Sequence, residues 1–554
     1  MKCCIILNTL IKGELFMAIP SQTRRDGESM EAFLNRLHQK YNGNPATMAQ
    51  MLEIAVRRNP QKTALVDGQG NRLSYSEMGH AVSRIAGGLR SAGIMAGERV
   101  AIMMRSHAHY VLAYYSVITR GMVAVPINVR LAARELAYIF DNAGVKLVIA
   151  DQEFSTVLKE VLGLLGREIP CYWTGPATVE FGQPWDVLAQ GEETEIADIH
   201  EDSLAAIYYT SGTTGQPKGA MITHLNMTAV GQQNVEAWYF DSPDVVELEI
   251  SPLFHVSFQE FGPTIHWVGG TLVVDNFSPA RSLDLIDQEG VNSFFAVPSM
   301  LLLMMEAQKQ QQRDLSRVRL VKYGGAPMPA EVMARVRQTF PAAQLVQGFG
   351  QTESTGMIAV TWPEEVYDFP LSTGRAISGC NIRILDAEEN PLQHGSVGEI
   401  VAQGPQIMAG YWKNPSASEE TLRGGFLHTG DLGYLDEGQR LYVVDRKKDL
   451  IIRGGQNIYS AEVEEVIYGH PAVTEVAVVG QPDPIYGEVV VAFVRVHPGD
   501  LVTAEELNRY LEGRIAIYKR PVAYYIVDDF PRTASGKVRK VELRQRLAES
   551  GKSN

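Results

Sequence analysis

Apolar and polar positions along the first third of the chain follow the pattern expected of strands that alternate with helices. A short apolar run predicts a strand, and apolar residues at i, i+3 and i+4 predict a helix. On this basis strands are expected at 64–67, 99–104, 123–127 and 146–150, and helices at 30–59, 75–92, 107–120 and 132–143. This alternation indicates parallel strands that are covered by helices on both faces.

The alternation continues beyond residue 220, and later segments show different patterns. Between 381 and 403 the residues are β-rich with Gly and Pro turns, which predicts a small sheet or barrel closing a large domain. Further strands are expected at 220–224, 270–274, 293–298, 320–323, 473–480 and 488–496, and a last helix at 504–516. The predicted fold class is α/β, with a large N-terminal domain of doubly wound sheets, a small β-rich subdomain and a small, mobile α+β C-terminal domain.

Length, charge and cysteine content narrow the class of protein. At 554 residues the chain is too long for one hydrophobic core, so two or more domains are expected. The formal charge of −14 argues against a nucleic-acid-binding surface, so any bound phosphate requires a local concentration of cations. Cys3, Cys4, Cys171 and Cys380 show no metal-ligand spacing, and a reducing cytoplasm is the compartment that fits them.

The N-terminus carries an apolar run, 3–11, that is too short to cross a bilayer. No small-residue cleavage site follows it cleanly, although a secretory signal peptide stays the alternative. Met17 is a second possible start of translation. Residues 1–30 are therefore expected to form a disordered or over-extended leader, and no integral membrane association is expected.

Glycine and hydroxyl residues are concentrated between 210 and 219, directly after the apolar run 204–209. In such a turn the backbone N–H groups converge on an anion, and Lys218 adds a point charge suited to phosphate. Pro217 precedes this lysine and Gly219 follows it, whereas a Walker loop requires Gly before the lysine and Ser or Thr after it. The segment therefore predicts a phosphate loop of another kind; a flexible surface loop is the alternative.

Two further segments carry groups that suit a nucleotide. In 347–354, Phe349 can stack on adenine, Thr352 can donate to a phosphate and Glu353 can hold a hard cation. Asp431 follows a glycine turn, where a carboxylate can accept hydrogen bonds from both ribose hydroxyls. An ordinary capping aspartate is the alternative for Asp431.

In this order the motifs resemble those of the adenylate-forming superfamily, whose members include acyl-CoA synthetases, adenylation domains of peptide synthetases and beetle luciferases. The resemblance implies ATP, Mg²⁺ and CoA: a carboxylic acid is converted to an acyl-adenylate and its acyl group then passes to CoA. The match Pro-x-x-x-x-Gly-Lys at 531–537 makes Lys537 the implied catalytic lysine, and Thr352, Glu353 and His255 the other implied catalytic residues. Glu353 is the implied magnesium ligand.

The resemblance also implies the nucleotide and CoA contacts. These residues are Thr210, Ser211, Gly212, Thr213, Thr214, Gly215, Lys218, Gly324, Gly325, Ala326, Gln347, Gly348, Phe349, Gly350, Thr352, Asp431, Arg446, Lys448, Gly454, Gly455 and Asn457. Lys448 is the implied hinge. The predicted domains are a leader at 1–30, an AMP-binding domain at 31–447, a C-terminal domain at 448–545 and a tail at 546–554.

The sequence indicates the identity of the substrate less closely than the type of reaction. The expected pocket residues are largely apolar, which favours a fatty, alicyclic or aryl acid, and with it lipid or fatty acid metabolism. They are His255, Met300, Tyr323, Gly348 and Met357. Asp241 leaves an amino acid open, because an ammonium group would need such an anchor. Ile452 and Gly454 stand where some aromatic-acid members carry lysine, which leaves the CoA contacts and the substrate class open.

Three alternatives share some or all of these motifs. A stand-alone adenylation enzyme would load an acyl or amino acid onto a carrier-protein thiol, a luciferase-like enzyme would use oxygen, and a binding protein would lack activity. The expected partners are a small carboxylic acid, ATP and CoA, without nucleic acid, and a homodimer is possible.

Overall fold

The computed structural model describes residues 45–175, 180–195, 197–210, 216–238, 242–326, 328–497, 499–532 and 538–550. They form two compact units. The first extends to Ile382 and includes Ala402–Leu427, and the second comprises Arg383–Val401 and the chain from His428 onward. The predicted leader lies outside the described residues, and the predicted domain boundary at 447/448 stays a prediction.

The strands of the first unit begin with β1 Thr63–Asp67, β2 Arg72–Ser74, β3 Arg99–Met103, β4 Val123–Pro126, β5 Val145–Asp151, β6 Cys171–Thr174, β7 Gln183–Pro184, β8 Leu204–Thr210 and β9 Lys218–Thr223. Next come β10 Val246–Glu249, β11 Thr271–Val274, β12 Ser293–Phe295, β13 Leu320–Gly324, β14 Gln344–Gln351, β15 Gly356–Thr361 and β16 Arg375–Ala376. The remaining strands are β17 Asn381–Leu385, β18 Gly398–Gln403, β19 Leu427–Leu435, β20 Leu441–Arg446, β21 Ile451–Arg453, β22 Gln456–Ile458, β23 Val473–Asp483, β24 Gly487–Val496 and β25 Ala523–Ile526.

The first helices are α1 Met48–Arg58, α2 Tyr75–Ser91, α3 Ala108–Ile118, α4 Ala133–Ala143, α5 Ser155–Leu165, α6 Asp186–Ala189, α7 His224–Ala237 and α8 Val256–Val268. They are followed by α9 Pro279–Glu289, α10 Pro298–Gln310, α11 Ala330–Thr339, α12 Pro415–Thr421, α13 Ser460–Tyr468, α14 Ala504–Leu511 and α15 Lys540–Ser550. No described helix combines the length and the apolar composition that crossing a membrane would require.

Helix α2 illustrates how the local sequence sets an element. The Ser74 hydroxyl accepts a hydrogen bond from the Glu77 N–H at 3.2 Å, and the Glu77 carboxylate accepts one from the Ser74 N–H at 2.8 Å. This reciprocal cap satisfies two N–H groups at the start of the helix. The helix ends before Gly93, whose φ of +87° is accessible to glycine at little cost.

Two large, mostly parallel sheets form the framework of the first unit. One runs in the order β7-β6-β5-β3-β4-β8-β9, and the other in the order β16-β15-β14-β13-β12-β10-β11-β1-β2. In each sheet a run of parallel strands is followed by an antiparallel hairpin, β8–β9 in the first and β14–β15 in the second. These two hairpins carry the predicted phosphate loop and the Gly-x-Gly-x-Thr-Glu segment.

The predicted alternation is confirmed, with two differences. The strand predicted at 64–67 does not join the sheet of its neighbours in sequence: β1 pairs with β11 in the other sheet. The last predicted helix, 504–516, ends at Leu511, and a short 3-10 turn follows at Ile517–Lys519. Gly513, with φ of +73°, lies between them, and a positive φ interrupts an α-helix.

The second unit contains two smaller sheets. The β-rich segment that was predicted from 381 to 403 contributes to the four-stranded sheet β17-β18-β19-β20. The other sheet has the order β22-β21-β24-β23, with β25 parallel to β24. Its two faces are covered by apolar clusters, one containing Ile458 and Leu507 and the other Phe530 and Leu543.

The charged run 445–449 suggests a turn that is exposed to solvent. Two of its side chains, Asp445 and Asp449, are instead buried. Asp445 accepts hydrogen bonds from the N–H and the hydroxyl of Ser460, and Asp449 accepts one from Arg544 at 2.6 Å. A buried carboxylate needs such partners because its desolvation is costly. The two aspartates therefore anchor this segment within the second unit.

Candidate active site

The hairpin β8–β9 frames the predicted phosphate loop. Thr210 pairs with Lys218 in the antiparallel register, and the Thr210 hydroxyl donates to the Lys218 carbonyl at 3.5 Å. Both residues are partly buried. The connection between these strands contains Ser211, Gly212, Thr213, Thr214 and Gly215, which lie outside the described residues. The ends of the predicted loop are thus fixed one opposite the other.

The base of this hairpin is held by buried tyrosines. The hydroxyls of Tyr208 and Tyr114 lie 3.1 Å apart, and Tyr114 donates to Gln259 Oε1 at 2.8 Å. Burial raises the pKa of both phenols, so they are neutral hydrogen-bonding groups at physiological pH. Gln259 lies on α8, so the helix that follows His255 is coupled to the strand that precedes the loop.

Lys218, Glu353 and Tyr411 come together although they are far apart in sequence. The Lys218 ammonium lies 5.1 Å from the centre of the Tyr411 ring, and the Tyr411 hydroxyl donates to Glu353 Oε1 at 2.8 Å. Burial and the Glu353 carboxylate both raise the pKa of Tyr411, which keeps this hydroxyl a donor. Tyr411 therefore contacts the Lys218 ammonium through its ring and the Glu353 carboxylate through its hydroxyl.

Tyr411 is the functional-site residue that sequence reasoning missed. The segment around it adds to the edge of β9: the Met221 N–H donates to the Gly410 carbonyl at 2.9 Å, and the Trp412 N–H donates to the Gly219 carbonyl at 2.7 Å. The only signal in the sequence is an aromatic pair after a glycine, which does not specify a partner 58 residues away.

The glycines of β13 and β14 allow close packing between these strands and their neighbours. Gly324 pairs with Gly348, and a Cβ on Gly324 would lie 2.5 Å from the Gly348 carbonyl oxygen. A Cβ on Gly348 would lie 2.6 Å from Met357 Sδ and 3.0 Å from Trp238 Cη2. Only glycine fits these positions, because neighbouring protein atoms occupy the space that a Cβ would take.

The predicted adenine residues lie at the ends of these strands. The Tyr323 hydroxyl donates to Gln347 Oε1 at 2.9 Å, which joins the two strand ends. Gly325, with φ of +75°, turns the chain outward, so that it and Ala326 are exposed. Phe349 is partly buried on β14. The strand ends therefore offer exposed backbone and one aromatic face to a base.

Thr352 and Glu353 lie in a short 3-10 turn, Thr352–Ser354, that is tightly fixed. The Ser354 hydroxyl bonds to the carbonyls of Gln351 at 2.9 Å and Gly356 at 2.6 Å. A Cβ on Gly350 would lie only 1.9 Å from the Gly356 carbonyl oxygen. Gly350 is therefore required for the close approach of β14 and β15 that positions the turn.

His255 occupies the N-cap position of α8 and is partly buried. Its ring centre lies 4.7 Å from that of Phe254. The structure thus places it in an aromatic environment at a helix start, where partial positive charge from the backbone N–H groups favours an anion such as a carboxylate.

The second unit holds the predicted ribose and hinge residues. Asp431 and Arg446 face each other in the register of β19 and β20, with Arg446 Nε 3.3 Å from Asp431 Oδ1. The Asp431 side chain is largely buried, whereas half of the Arg446 side chain is exposed. The pair offers a carboxylate and a guanidinium at one place, as a ribose phosphate requires.

Lys448 lies two residues beyond Arg446 and is exposed, but burial of part of its side chain and the nearby charge of Arg446 lower its pKa. Its carbonyl accepts a hydrogen bond from Arg544 at 3.4 Å. Because Asp449 binds the same arginine, the predicted hinge and the residue after it are both attached to α15.

Gly454 and Gly455 form the two-residue turn between β21 and β22, with φ of +56° and +80°. This conformation at two successive positions is typical of glycine in a tight hairpin. The Gly454 N–H donates to the Tyr486 carbonyl at 2.7 Å, and Asn457 is exposed on β22. The turn leaves backbone open for a ligand to approach closely.

Lys537 lies outside the described residues. The chain on either side of 533–537 is joined by an isolated β-bridge between Arg532 and Val538. Arg532 also forms an ion pair with Glu475 and thereby attaches this segment to β23.

A metal would depend on few protein ligands here. Within the described part of the chain, no group of three or more His, Cys, Asp or Glu side chains is arranged to hold a metal ion. Glu353 offers carboxylate oxygens, one of which accepts a hydrogen bond from Tyr411, and this suits a hard cation that is shared with phosphate oxygens. The residues present fit magnesium bound together with a nucleotide.

Comparison with known proteins identifies the family. The AMP-binding enzyme family matches residues 52–412, and the C-terminal domain of AMP-binding enzymes matches residues 462–537. A feruloyl-CoA synthase of Amycolatopsis sp is 36% identical over 495 residues, covering 89% of this chain and 97% of that protein. A fatty acid–[acyl-carrier-protein] ligase of Streptomyces coeruleorubidus is 31% identical over 524 residues, covering 93% and 98%.

Solved structures agree with this assignment. The o-succinylbenzoate CoA synthetase of Bacillus subtilis, solved with ATP and magnesium ion, matches with a TM-score of 0.79 at 31% identity, covering 90% of this chain and 99% of that one. The same enzyme with its acyl-adenylate intermediate matches with a TM-score of 0.80 at 30% identity, covering 89% and 97%. The chain therefore belongs to the AMP-binding enzyme family, the adenylate-forming enzymes, and is an acid–CoA ligase that releases AMP.

Proposed function

We propose that this ligase activates an aromatic carboxylic acid in preference to a long-chain fatty acid. The observation that carries the proposal is the aromatic surround of Gly324 and Gly348 on β13 and β14. A Cβ on Gly324 would lie 3.5 Å from Phe295 Cε2, and one on Gly348 would lie 3.0 Å from Trp238 Cη2. Aromatic side chains at these strands favour a flat ring in an adjoining acid site. The likeness to a feruloyl-CoA synthase supports the same class.

In the first half-reaction a carboxylate oxygen of the acid attacks the α-phosphorus of ATP. A phosphorus–oxygen bond to the acid forms, the bond to the bridging oxygen breaks, and pyrophosphate leaves. The barrier is electrostatic, because two anions must meet. In our proposal Lys218 and the 210–215 segment hold the phosphates, Thr352 donates to one of them, and Lys537 bridges the carboxylate and the α-phosphate. Magnesium held by Glu353 supplies further positive charge when bound.

The remaining predicted residues position the nucleotide and the acid. Asp431 accepts hydrogen bonds from the ribose hydroxyls, Arg446 orients that carboxylate and reaches phosphate, and Phe349 stacks on the base. His255 lies beside the carboxylate of the acid. These roles are supported by the pairing of Asp431 with Arg446 and by the partial exposure of Phe349.

In the second half-reaction the sulfur of CoA attacks the acyl carbon. A carbon–sulfur bond forms, the bond from acyl carbon to AMP oxygen breaks, and the thiol proton passes to water. In our proposal the second unit rotates at Lys448 between the two steps, and the turn at Gly454 and Gly455 lies along the pantetheine arm with Asn457 near the acyl group. Both glycines are exposed, which supports close approach of a ligand.

A panel of acids tests the substrate class. Pyrophosphate release is measured with phenylpropenoic, benzoic, alicyclic and long-chain fatty acids at equal concentration, with Lys537→Ala as the control for background. We expect kcat/KM to be highest for an aryl acid and to fall on the order of 10²–10³-fold in Lys537→Ala. A higher kcat/KM with the fatty acids would contradict the proposed class, and in that case fatty acid metabolism would be the role.

The alternative acceptor is a carrier-protein thiol, which one similar protein, a fatty acid–[acyl-carrier-protein] ligase, uses according to its name. The two acceptors are distinguished by presenting the adenylated enzyme with CoA and with a phosphopantetheinylated carrier protein in parallel. We expect thioester formation with CoA. As compartment we propose the reducing cytoplasm, in keeping with Cys171 and Cys380, which are buried free thiols.

A further inference from the structure

Three other segments of the first unit meet at the C-terminal end of α4. One of them is the start of β3, where the Arg99 guanidinium donates to the carbonyls of Ala143 at 2.7 Å and Gly144 at 3.0 Å. Carbonyls at a helix end have no partner within the helix, so this arginine satisfies them. Its positive charge is also favourable there, because the helix dipole is negative at the C-terminus. The end of α4 is therefore firmly held in the fold.

Asn142, in the last turn of α4, binds the other two segments. Its side-chain Oδ1 accepts a hydrogen bond from the Tyr209 hydroxyl at 2.5 Å, and its backbone carbonyl accepts one from Trp412 Nε1 at 3.0 Å. Burial raises the pKa of Tyr209, which keeps this hydroxyl a donor. The Arg99 guanidinium lies 5.6 Å from the centre of the Trp412 ring and adds a cation–π contact. One residue of α4 thus binds side chains that lie 67 and 270 positions away in the chain.

Tyr209 attaches the end of α4 to the hairpin β8–β9. In the antiparallel register Tyr209 lies opposite Gly219, and a Cβ on Gly219 would lie 3.0 Å from Tyr209 Cζ. The tyrosine ring therefore packs across the strand pair, over a residue that has no side chain. The next pair in the register is Thr210 with Lys218, so the backbone of this lysine is held directly beside the Tyr209 ring.

Trp412 attaches the end of α4 to the segment that carries Tyr411. The Trp412 N–H donates to the Gly219 carbonyl at 2.7 Å, which joins this segment to the edge of β9. The preceding residue, Tyr411, has its ring centre 5.1 Å from the Lys218 ammonium, and its hydroxyl donates to Glu353 Oε1 at 2.8 Å. The indole bound to α4 therefore fixes the segment whose tyrosine contacts both charged groups.

We propose that Asn142 is a positioning residue for the binding of ATP and magnesium. It acts through Tyr209 and Trp412, which hold the hairpin and the Tyr411 segment in place. The groups positioned in this way are the Lys218 ammonium and the Glu353 carboxylate. The inference rests on the proposed function, which assigns the first group to phosphate and the second to magnesium. Charged groups stabilise a reacting phosphate only when their geometry is set in advance, so a looser attachment weakens them.

The test removes the side-chain hydrogen bond and keeps the end of α4. Asn142→Leu lacks the acceptor for the Tyr209 hydroxyl but retains the carbonyl that Trp412 binds, and Asn142→Asp keeps an acceptor of the same size. In the full-length enzyme, pyrophosphate release gives KM for ATP, KM for the acid and the magnesium concentration for half-maximal rate, with the acid of highest kcat/KM in the panel. Thermal unfolding is measured in parallel. We expect Asn142→Leu to raise KM for ATP and the magnesium requirement about fivefold, with KM for the acid and the thermal midpoint nearly unchanged, and Asn142→Asp to stay within about twofold of wild type.

Tyr209→Phe removes the donor of the same hydrogen bond. It should raise KM for ATP about as much as Asn142→Leu, and the double variant should be no worse than either single variant, because both remove one interaction. Additive effects would overturn the inference. A matched control is Tyr524→Phe in the second unit, which removes a hydrogen bond of the same kind, from the Tyr524 hydroxyl to Asn508 Oδ1 at 3.0 Å. We expect this control to leave KM for ATP unchanged.

Lys218→Ala separates failure of the inference from failure of the proposed function. If Lys218→Ala raises KM for ATP and Asn142→Leu does not, the inference is overturned and the proposed function stands. A parallel rise in both KM values with a lower thermal midpoint in Asn142→Leu would also overturn it, since that pattern indicates a general structural role. An unchanged KM for ATP in Lys218→Ala would instead refute the proposed phosphate role of this lysine, and the inference with it.

Discussion

The Tyr411 hydroxyl makes one hydrogen bond to Glu353 while the ring of the same residue lies against Lys218. Two separable interactions therefore meet in one side chain, and a substitution can remove one and keep the other. This geometry matters because the orientation of a single carboxylate is the main protein contribution to the proposed magnesium site.

Tyr411→Phe is expected to weaken the use of magnesium. The ring stays beside Lys218, but Glu353 loses the hydrogen bond that orients it, and a hydrogen bond to a charged group is worth about 1.5–3 kcal/mol. We expect the magnesium concentration for half-maximal pyrophosphate release to rise about tenfold, with little change in thermal stability. Tyr411→Leu, which removes both interactions, should be worse. Identical magnesium titrations of wild type and Tyr411→Phe would show that Tyr411 does not orient the ligand.

Burial of Glu249 makes the free energy of unfolding depend on pH. It is buried on β10 and its carboxyl oxygen accepts a hydrogen bond from the Ser251 N–H at 3.0 Å. Its pKa is about 8 in the native state, against about 4.3 in an unfolded chain. Between these values the native state holds a proton that the unfolded state lacks, so this group makes stability fall as the pH rises.

Glu249→Gln is therefore expected to flatten this dependence. The variant keeps a neutral hydrogen-bonding group but has no proton to lose, so its stability relative to wild type should increase between pH 6 and pH 8 by at least about 1 kcal/mol. Urea unfolding of both proteins at the two pH values measures the difference. If the difference in free energy of unfolding between variant and wild type stayed constant or decreased as the pH rose, the raised pKa of Glu249 would be refuted.

Hairpins at the ends of parallel strand runs carry the residues of the first unit to which we assign chemistry. In β14–β15 the strands are so close that a Cβ on Gly350 would lie 1.9 Å from the Gly356 carbonyl oxygen. Gly350→Ala would force the strands apart, and we expect a loss of stability of about 2 kcal/mol or more together with nearly complete loss of adenylate formation. Pyrophosphate release and thermal unfolding measure the two effects.

A helical glycine provides the control for this element. Gly163 lies within α5, and a Cβ there would meet nothing within 4 Å. Gly163→Ala should therefore raise stability by about 0.5–1 kcal/mol, through helix propensity, and leave activity as it is. Full activity in Gly350→Ala would mean that the turn at Glu353 does not depend on the close contact between the strands.

Sequence reasoning predicted elements better than their partners. Local signals, such as the apolar spacing in 75–92 and the apolar run of β8, define where a helix or strand lies. Nothing local assigns β1 to β11, because that pairing joins residues about 200 positions apart in the chain. The same limit explains why the sequence predicts a motif residue such as Glu353 but not Tyr411, whose contact with Glu353 depends on folding against another segment.

The whole molecule divides the proposed chemistry between its two compact units. Lys218 and Glu353 belong to the first, and Asp431 and Lys448 to the second. The two half-reactions need different protein groups beside the same acyl carbon. The group that faces this carbon must therefore change between the two steps. A hinge residue must absorb that change in its backbone dihedrals.

Lys448→Pro is expected to separate the two half-reactions. Proline fixes φ near −65° and removes an N–H, so a rotation that depends on Lys448 would be blocked while each unit keeps its fold. We expect ATP–pyrophosphate exchange with the preferred acid to stay within about threefold of wild type and thioester formation to fall by 10²-fold or more. Lys448→Ala should lower neither rate to that extent, because alanine leaves φ free. Equal loss of both half-reactions in Lys448→Pro, with alanine harmless, would place the hinge elsewhere and make Lys448 a residue that the adenylation step itself requires.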